Sequence, residues 1–295
     1  MAQTRITHPE KVLFPRDGHT KADMISYYES VADVMLPYMR GHPLAMLRFN
    51  KGIDGEQFFH KQAPNYFPDF VERVELPKAK GTTRYPVCNN KEALLYIANH
   101  NCIEFHLVPV RADDLGHPDR MVFDLDPSTE DVDEVKEAAR WLHDLLEEVG
   151  AASYLMTSGS RGFHIYVPLD RKSSVEDVVE FADVVATVLV FRHPDTLTTE
   201  FSKEDRGSRI YVDVARNAPA QHAVAPYSLR ARDGAPAATP IDWSELDDDN
   251  LGPRTFTLGT LPGRLAEQGD AWKGIWDRPS SLAALRRKLR RLAPT

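Results

Sequence analysis

The sequence predicts a mixed α/β protein in which short apolar strands alternate with longer amphipathic helices. Predicted strands such as Phe163–Val167 are built from aromatic and β-branched residues. The predicted helix that ends at Val149 carries its apolar residues on one face at helical spacing. Hydrophobic residues make up 42% of the 295 residues and charged residues 27%, which is typical of a globular protein with a sizeable core.

Charge and composition argue against several classes of protein. The formal net charge of −8 argues against a nucleic-acid binder unless one face presents a basic groove. No apolar run approaches the roughly 20 residues that span a bilayer, and the first residues form no signal peptide. The two cysteines, Cys88 and Cys102, lack metal-ligand spacing and fit a reducing compartment. We therefore expect a cytoplasmic protein.

In the N-terminal third, residue spacing predicts two helices and several extended segments. Prolines bound a short N-terminal segment, and residues 62–90 are predicted to be rich in loops. The predicted elements are the segment Ile6–Pro15, the helix Ala22–Met39, the strand Leu44–Phe49, the extended segment Gln57–Lys61, the helix Lys91–Ala98 and the strand Cys102–Val108.

Phe58 and Phe59 form an aromatic pair among basic residues. Adjacent side chains of an extended segment point to opposite sides, so one ring can be buried while the other is exposed. The neighbouring cations are Arg48, Lys51 and Lys61. Aromatic rings flanked by cations suit base stacking combined with phosphate attraction. A buried phenylalanine pair with solvated lysines explains the same pattern, and the sequence leaves both interpretations open.

Asp124 and Asp126 interrupt the apolar strand Met121–Asp126, which Pro127 closes. Residues i and i+2 of a strand share a face, so the two carboxylates stand side by side. Two like charges on a buried strand are costly unless a positive group lies between them. Mg²⁺ or Mn²⁺ would supply that charge, because both prefer oxygen ligands. Pairing with arginines, or capping of a helix, is the alternative.

Further helices are predicted after this strand. Ser128 is a suitable N-cap for a helix that runs to Val149, and Gly150 is suited to end it. A second apolar helix is predicted over Val175–Phe191. A basic amphipathic helix, Leu282–Leu292, is predicted near the C-terminus, and its charged face is interpreted as solvated surface.

The turn Ser158–Gly162 joins the predicted strand Ser153–Thr157 to the strand that follows. Its small residues would let backbone N–H groups approach a phosphate closely, and Arg161 and His164 would supply positive charge. A Gly/Ser turn is also commonly only a turn. Its position directly after a strand–helix unit that carries paired aspartates favours the phosphate interpretation.

Asp213 is a third carboxylate in an apolar strand, predicted over Arg209–Val214. Another strand is predicted over Thr196–Phe201, with a charged loop between the two. Three acids on buried strands make a two-metal phosphoryl-transfer site plausible, because metals about 3.5–4 Å apart need shared carboxylates. Arg216 and Arg230 follow closely in the sequence.

Three motifs together resemble the archaeo-eukaryotic primase superfamily, namely Val122–Pro127, Thr157–His164 and Val212–Asp213. More closely, the whole chain is similar to the polymerase domain of bacterial DNA ligase D, the end-joining repair ligase. The segments Thr7–Pro15, Arg48–Lys61 and Ile103–His106 also look like that family. The resemblance covers nearly all of the 295 residues, with the motifs in order and at familiar spacing.

The resemblance implies one α/β catalytic domain over residues 1–295, with two lobes around RNA-recognition-like sheets. Residues 1–110 would form an N-terminal lobe that contacts DNA, residues 111–240 the catalytic core, and residues 241–295 a segment packed on the core. The implied activity is template-dependent nucleotidyl transfer that fills short gaps or extends ends in DNA repair such as non-homologous end joining, with a preference for ribonucleotides. Cofactors would be two Mn²⁺ or Mg²⁺ ions, and substrates NTPs or dNTPs.

The same resemblance gives each candidate residue a role. Three residues would be catalytic and hold the metals: Asp124, Asp126 and Asp213. The nucleotide would be bound by Ser158, Arg161, His164, His106 and Arg230. DNA and its 5′-phosphate would be contacted by His8, Lys11, Lys21, Arg48, Lys51, Phe58, Phe59, Lys61, Arg206 and Arg216.

Partners implied by the resemblance are gapped DNA or broken ends with a 5′-phosphate, a separate ATP-dependent DNA ligase and a Ku-type end binder, in a nucleoid-associated setting. The chain departs from the family at His8, where Asn is expected, and at Arg161, where relatives often carry Lys. Arg keeps the charge and adds a forked donor. Leu107-Val108 stands where Pro-Trp is usual. The rival functions are a primase that starts chains without a primer and a non-catalytic factor that binds or bridges DNA ends.

Overall fold

The computed structural model describes residues 5–78 and 80–290. Within these ranges the chain is a mixed α/β protein that divides into two compact units, each with its own sheet. Unit 1 comprises the described residues of Met1–Leu115, His222–Thr239 and Arg254–Asp270, and unit 2 those of Gly116–Gln221, Pro240–Pro253 and Ala271–Thr295. No helix in the described ranges is long and apolar enough to cross a membrane.

The order of elements confirms the predicted alternation of strands and helices. The helices are α1 (Lys21–Met39), α2 (Lys91–Asn99), α3 (Val132–Val149), α4 (Val175–Arg192), α5 (Lys203–Arg206), α6 (Leu261–Gln268) and α7 (Leu282–Leu289). The strands are β1 (Val12–Phe14), β2 (His19–Thr20), β3 (Leu44–Phe49), β4 (Gln57–His60), β5 (Glu72–Pro77), β6 (Thr82–Val87), β7 (Cys102–Leu107), β8 (Arg120–Asp126), β9 (Tyr154–Thr157), β10 (Phe163–Pro168), β11 (Leu197–Thr198), β12 (Ile210–Asp213), β13 (Ala223–Val224) and β14 (Thr239–Ile241).

Unit 1 is built around a four-stranded sheet in the order β13-β7-β3-β4. Helix α1 begins at a capping box, in which Asp23 N–H donates to Thr20 Oγ1 and the Asp23 carboxylate accepts from Thr20 N–H. The helix buries Met24, Tyr28 and Met35 completely. The hydroxyl of Tyr28 donates to the carbonyl of Ile103 in β7, which ties the helix to the sheet.

Unit 2 is built around a six-stranded sheet in the order β11-β12-β8-β10-β9-β14. Strand β8 lies between β12 and β10 and is antiparallel to both. Helices α3 and α4 contact each other and the sheet, and their facing residues, among them Leu142 and Val185, are fully buried. The apolar residues of β8 are buried, whereas Asp124 and Asp126 in the same strand are half-buried.

The prediction that residues 62–90 are rich in loops is wrong over Glu72–Pro77 and Thr82–Val87. Strands β5 and β6 form an antiparallel hairpin there, with Glu72 opposite Val87 and Pro77 opposite Thr82. The hairpin is its own two-stranded sheet, and β5 is mostly exposed or half-buried. Because so few of its residues are buried, charged and proline residues interrupt the alternation of apolar and polar residues that identifies a strand.

The predicted N-cap of α3 is also wrong. Asp131 occupies that position, and its Oδ1 accepts from the backbone N–H groups of Asp133 at 3.0 Å and Glu134 at 3.1 Å. Ser128 instead donates its hydroxyl proton to the carbonyl of Arg209, at 2.7 Å. Several good capping residues precede the helix, so residue type alone does not select one. The predicted stop at Gly150 is confirmed by its left-handed φ of 79°.

Three other predicted elements are shorter than expected. The strands predicted over Thr196–Phe201 and Arg209–Val214 shrink to β11 and β12, and α5 forms one helical turn in the charged loop between them. Helix α7 ends at Leu289, and the predicted end at Leu292 lies outside the described residues.

Candidate active site

A row of polar side chains crosses three adjacent strands of the unit 2 sheet. Strand register places Asp213 of β12 directly opposite Asp124 of β8, and Asp124 directly opposite His164 of β10. Directly opposite residues of antiparallel strands share a face, with Cβ atoms about 4.5–5.5 Å apart. Asp126 lies two residues further along β8 and therefore faces the same side. The sheet thus gathers all three predicted acids and the predicted histidine.

The side chains of Arg216 and His164 contact two acids of this row. The Arg216 guanidinium bridges two of them, with NH2 3.1 Å from Asp213 Oδ2 and Nε 3.4 Å from Asp124 Oδ2. On the other side, His164 Nε2 lies 3.3 Å from Asp124 Oδ1. Burial raises the pKa of Asp213, and the charge of Asp124 adds to that effect while Arg216 opposes it.

Asp126 is held by two arginines. Arg161 NH2 lies 2.7 Å from Oδ1, and Arg206 NH1 lies 3.3 Å from Oδ2. Arg206 is buried, and its guanidinium also lies 4.0 Å from the ring centre of Tyr211, the residue opposite Asp126 in β12. Pairing of the aspartates with arginines, which was the alternative to a metal site, is therefore the arrangement that the structure contains.

The three aspartates have the right chemistry for a divalent cation, but their side chains are not arranged to hold one in this structure. Among residues 5–78 and 80–290, no three His, Cys, Asp or Glu side chains are placed to hold a metal ion. Asp124, Asp126 and Asp213 nevertheless supply carboxylate oxygens, the ligands that Mg²⁺ and Mn²⁺ prefer, on one face of one sheet. In this structure the guanidinium groups of Arg161, Arg206 and Arg216 contact these carboxylates.

The turn after β9 is tied to the strand that carries the acids. Ser158 is buried, and its Oγ accepts from the N–H groups of Ser160 and Gly162, each at 3.1 Å. A Cβ on Gly162 would lie 1.7 Å from the carbonyl oxygen of Leu125, so only glycine fits there. Strand β8 and the turn are therefore in direct contact beside Asp126. The buried Nδ1 of His164 has no hydrogen-bond partner among the described residues.

A cavity next to Asp126 is lined by basic side chains that come from separate segments. Arg161 belongs to the turn after β9, while Lys203 and Arg206 belong to α5. Sequence reasoning missed Lys203, although it had marked the charged segment that contains it. Three cations around one small cavity provide a site for an anion.

A second polar cluster lies in unit 1, centred on Glu104 of β7. Its Oε2 is 2.9 Å from His106 Nε2 and accepts from Arg230 Nε at 3.0 Å, while its Oε1 accepts from the N–H of Ala231 at 2.8 Å. Burial alone would raise the pKa of Glu104, but Arg230 and then His106 lower it to about 2. Glu104 therefore stays ionised and links two predicted nucleotide-binding residues. Its role was missed, although residues 104 and 106 of a strand share a face.

The two phenylalanines of β4 differ in exposure, as successive residues of a strand do when they point to opposite faces. Phe58 is half-buried, whereas Phe59 is 46% exposed and meets the edges of His106 at 5.5 Å and His222 at 5.6 Å between ring centres. Lys61 Nζ lies 5.9 Å from the centre of the Phe59 ring. Phe59 is thus an exposed ring beside a cation, as base stacking requires.

Lys11, Lys21 and Arg48 form a cation cluster in unit 1. Lys11 Nζ donates to the carbonyl of Asn50, and Lys21 Nζ donates to Thr7 Oγ1 at 2.8 Å. The pKa of Lys21 is lowered to about 8, first by burial and then by the charges of Lys11 and Arg48. A cluster of this kind is stabilised by an anion.

The predicted site residues thus fall into two sets, one in each unit. Unit 2 holds Asp124, Asp126, Asp213, Ser158, Arg161, His164, Arg206 and Arg216. Unit 1 holds His8, Lys11, Lys21, Arg48, Lys51, Phe58, Phe59, Lys61, His106 and Arg230. Of the unit 1 set, His8, Lys51 and Phe59 are exposed, and His8 adopts a positive φ of 51°.

Comparison with known proteins identifies the family to which this fold and this row of acids belong. The structure is similar to that of the polymerase domain of Mycobacterium tuberculosis Ligase D in complex with DNA, with a TM-score of 0.89 and 33% sequence identity. The match covers 95% of this chain and 100% of that one. The LigD primase-polymerase domain model matches residues 20–272, and the chain therefore belongs to this family. The resemblance inferred from the sequence and the fold class are both confirmed.

Relatives in the family are longer than this chain. The chain is 36% identical over 271 residues to the multifunctional non-homologous end joining protein LigD of Mycolicibacterium smegmatis, covering 91% of this chain and 35% of the relative. It is 31% identical over 283 residues to the bifunctional non-homologous end joining protein LigD of Bacillus subtilis, covering 94% of this chain and 45% of the relative. The chain spans less than half the length of either relative.

Proposed function

We propose that this chain is a template-dependent nucleotidyltransferase that fills short gaps or extends DNA ends during repair by non-homologous end joining. The observation that carries the proposal is the row Asp213–Asp124–His164 across three adjacent strands, with Asp126 on the same face. Carboxylates gathered in this way serve nucleotidyl transfer, because the reaction needs charge stabilisation at both the attacking and the leaving oxygen.

In this proposal Asp124, Asp126 and Asp213 hold two divalent ions, Mn²⁺ or Mg²⁺. Bound ions would promote loss of the proton from the primer 3′-hydroxyl and stabilise the pyrophosphate that departs. The support in the chain is chemical: three hard oxygen donors share one face, and two of the guanidinium groups that balance their charge, those of Arg161 and Arg216, are 38% and 39% exposed and can turn towards other anions.

The basic residues around the acids would bind the incoming nucleoside triphosphate. Arg161 and Arg206 line the cavity beside Asp126, and Arg161 is 38% exposed, so that it can leave the carboxylate for a phosphate. The buried Nδ1 of His164 has no hydrogen-bond partner within residues 5–78 and 80–290, and Ser158 fixes the turn that carries Arg161. In unit 1, Glu104 orients His106 and Arg230, to which we assign contacts with the nucleotide.

The DNA would be bound by the residues of unit 1. Lys11 and Lys21, with His8 nearby in sequence, would bind the 5′-phosphate of the downstream strand, and the lowered pKa of Lys21 supports an anion site there. Phe59 would stack at the template, with Arg48, Lys51 and Lys61 near the backbone. The preference for ribonucleotides, and cooperation with a DNA ligase and a Ku-type end binder, rest on family membership alone.

The test is extension of a primer across a short gap in duplex DNA with Mn²⁺. NTPs are compared with dNTPs, and a 5′-phosphate at the gap with a 5′-hydroxyl. Templated addition favoured by NTPs and by the phosphate is the expected result. Addition that ignores the phosphate would refute the roles of Lys11 and Lys21 while leaving the polymerase. Binding of phosphorylated ends without addition would identify an end-binding factor, and dinucleotide synthesis on bare single strands a primase.

A further inference from the structure

The C-terminal end of α2 holds the cation cluster in place. Asn99 is buried, and its Oδ1 accepts from Thr7 N at 3.0 Å and from Thr7 Oγ1 at 3.2 Å. Thr7 Oγ1 in turn accepts from Lys21 Nζ at 2.8 Å. One asparagine thus positions the segment whose hydroxyl binds the buried lysine.

The next residue, His100, supports an exposed tyrosine. The ring of Tyr66 is stacked on His100, with 5.7 Å between centres and 29° between planes, and Tyr66 is 61% exposed. His100 is fixed from behind, because its Nδ1 bonds the carbonyl of Tyr96 at 2.9 Å and its ring centre lies 4.5 Å from that of Tyr96. We call Tyr66 and His100 the aromatic shelf.

The aromatic shelf and the cation cluster are neighbours. Arg48 Nε donates to the carbonyl of His100 at 2.8 Å. Burial lowers the pKa of His100, the hydrogen bond to the Tyr96 carbonyl opposes this effect, and the charges of Arg48 and Lys21 lower the pKa further. The side chain of Asn65, the residue before Tyr66, accepts from Arg84 NH2 at 2.7 Å. An exposed ring whose supporting residue and preceding residue both contact arginines favours a partner that carries both phosphates and flat apolar faces, which is a nucleic acid.

We propose that Tyr66 stacks on the terminal base of the strand whose 5′-phosphate is held by Lys11 and Lys21, with His100 as its support. This inference rests on the proposed function, since it takes the cation cluster to be the phosphate site. The phosphate and base of one nucleotide are joined by a single sugar, so a phosphate contact and a stacking contact in neighbouring places suit one terminal nucleotide. Stacking on an aromatic ring is tolerant of sequence, because every base has a π-face.

The test measures binding of a duplex with a recessed, 5′-phosphorylated end by fluorescence anisotropy. The terminal nucleotide carries either a base or an abasic tetrahydrofuran sugar. Loss of the base should weaken binding to the wild-type protein by about fivefold or more. Tyr66→Ala should bind the normal end as weakly as the wild type binds the abasic end, and should ignore the base. Tyr66→Phe should behave like the wild type, as should Phe191→Ala, which removes a similarly exposed ring from unit 2.

Two comparisons keep the aromatic shelf separate from the phosphate site. If Tyr66→Ala keeps both the wild-type affinity and its dependence on the base, the aromatic shelf is refuted, whereas a retained preference for 5′-phosphate over 5′-hydroxyl leaves the phosphate site intact. If the wild type shows no preference for the phosphate, the phosphate site itself fails. Tyr66→Leu keeps apolar contact with His100 without an aromatic face, and wild-type binding by this variant would also overturn the proposal.

Discussion

Asp124 in unit 2 and Glu104 in unit 1 are both carboxylates on apolar strands, but they are held very differently. The oxygens of Asp124 lie 3.3 Å from His164 and 3.4 Å from Arg216. Those of Glu104 lie 2.8 to 3.0 Å from Ala231, His106 and Arg230. Short hydrogen bonds to a charged group are the strong ones, so Glu104 is firmly held, and its contacts are shorter than those of Asp124 with His164 and Arg216.

This difference indicates that Asp124 and Glu104 have different roles. The side chain of Arg216, which contacts Asp124, is 39% exposed, so water screens this ion pair. A carboxylate that orients other residues is saturated, and the side chain of Glu104 is 6% exposed. We therefore expect loss of Asp124 to affect activity far more than stability, and loss of Glu104 to affect both.

The largest effect is expected for Asp124→Asn. The substitution removes one charge from the acid row without changing its shape, so nucleotide addition on gapped DNA should fall by about 100-fold or more. The free energy of unfolding should change little, because removal of the charge also relieves repulsion with Asp213. Primer extension and urea unfolding measure the two quantities, with the exposed Asp183→Asn as the matched control in unit 2. An Asp124→Asn protein that is folded and fully active would refute the catalytic role of the row.

Glu104→Ala should destabilise the protein by about 3–5 kcal/mol, because it leaves Arg230 without its buried partner. Glu104→Gln keeps the shape and should cost about 1–3 kcal/mol. Urea unfolding measures both, and Glu72→Gln on the exposed face of β5 is the control. If Glu104→Gln is as stable as Glu72→Gln, the contrast between the two carboxylates does not hold.

The contribution of Glu104 to stability should be lost over a defined range of low pH. The pKa of Glu104 is lowered from 4.5 to about 2, so its contribution to stability is complete above 4.5 and is lost as the pH falls towards 2. The wild type should therefore lose more stability than Glu104→Gln between about pH 5 and about pH 3. Urea unfolding of both proteins over this range measures the difference, and parallel curves would contradict a depressed pKa.

The sequence predicts which of these residues share a face when they are close in the chain, but it does not predict the contacts between residues far apart in the chain. The spacing of Asp124 and Asp126 places them on one face because strands have a period of two, and the same rule pairs Glu104 with His106. Nothing local places Asp213 opposite Asp124, because register between strands far apart in sequence depends on the whole sheet. Arg230 reaches Glu104 from 126 residues away, which no pattern within one segment reveals.

Partly exposed elements were harder to predict than buried ones. The buried strand β3 and helices α1 and α2 lie within one residue of their predicted ends, because burial imposes a clear period on the sequence. The hairpin β5–β6 was missed, because β5 is mostly exposed or half-buried and only the second half of β6 is buried, which is too little burial to impose a clear period on the sequence.

A smaller effect is expected from the lowered pKa of Lys21, which is about 8. Lys21 loses its charge as the pH rises from about 7 to about 9, so preference for a 5′-phosphate over a 5′-hydroxyl should fall by up to about tenfold in that range. Lys21→Arg retains its charge throughout and should flatten the profile. Anisotropy titrations with matched phosphorylated and unphosphorylated ends measure the ratio, and a flat wild-type profile would contradict the role of Lys21.

The smallest effect on stability is expected for Arg161→Ala, which tests the cation that contacts Asp126 against the cation that contacts Glu104. The side chains of Arg161 and Asp126 are 38% and 30% exposed, and an ion pair so open to water contributes about 1 kcal/mol or less to stability. Asp126 also retains Arg206, so its charge stays compensated. Arg230→Ala should cost several times more, because Arg230 is 17% exposed and its partner Glu104 is buried. Equal losses for the two variants in urea unfolding would mean that the acid row is held as firmly as the Glu104 cluster.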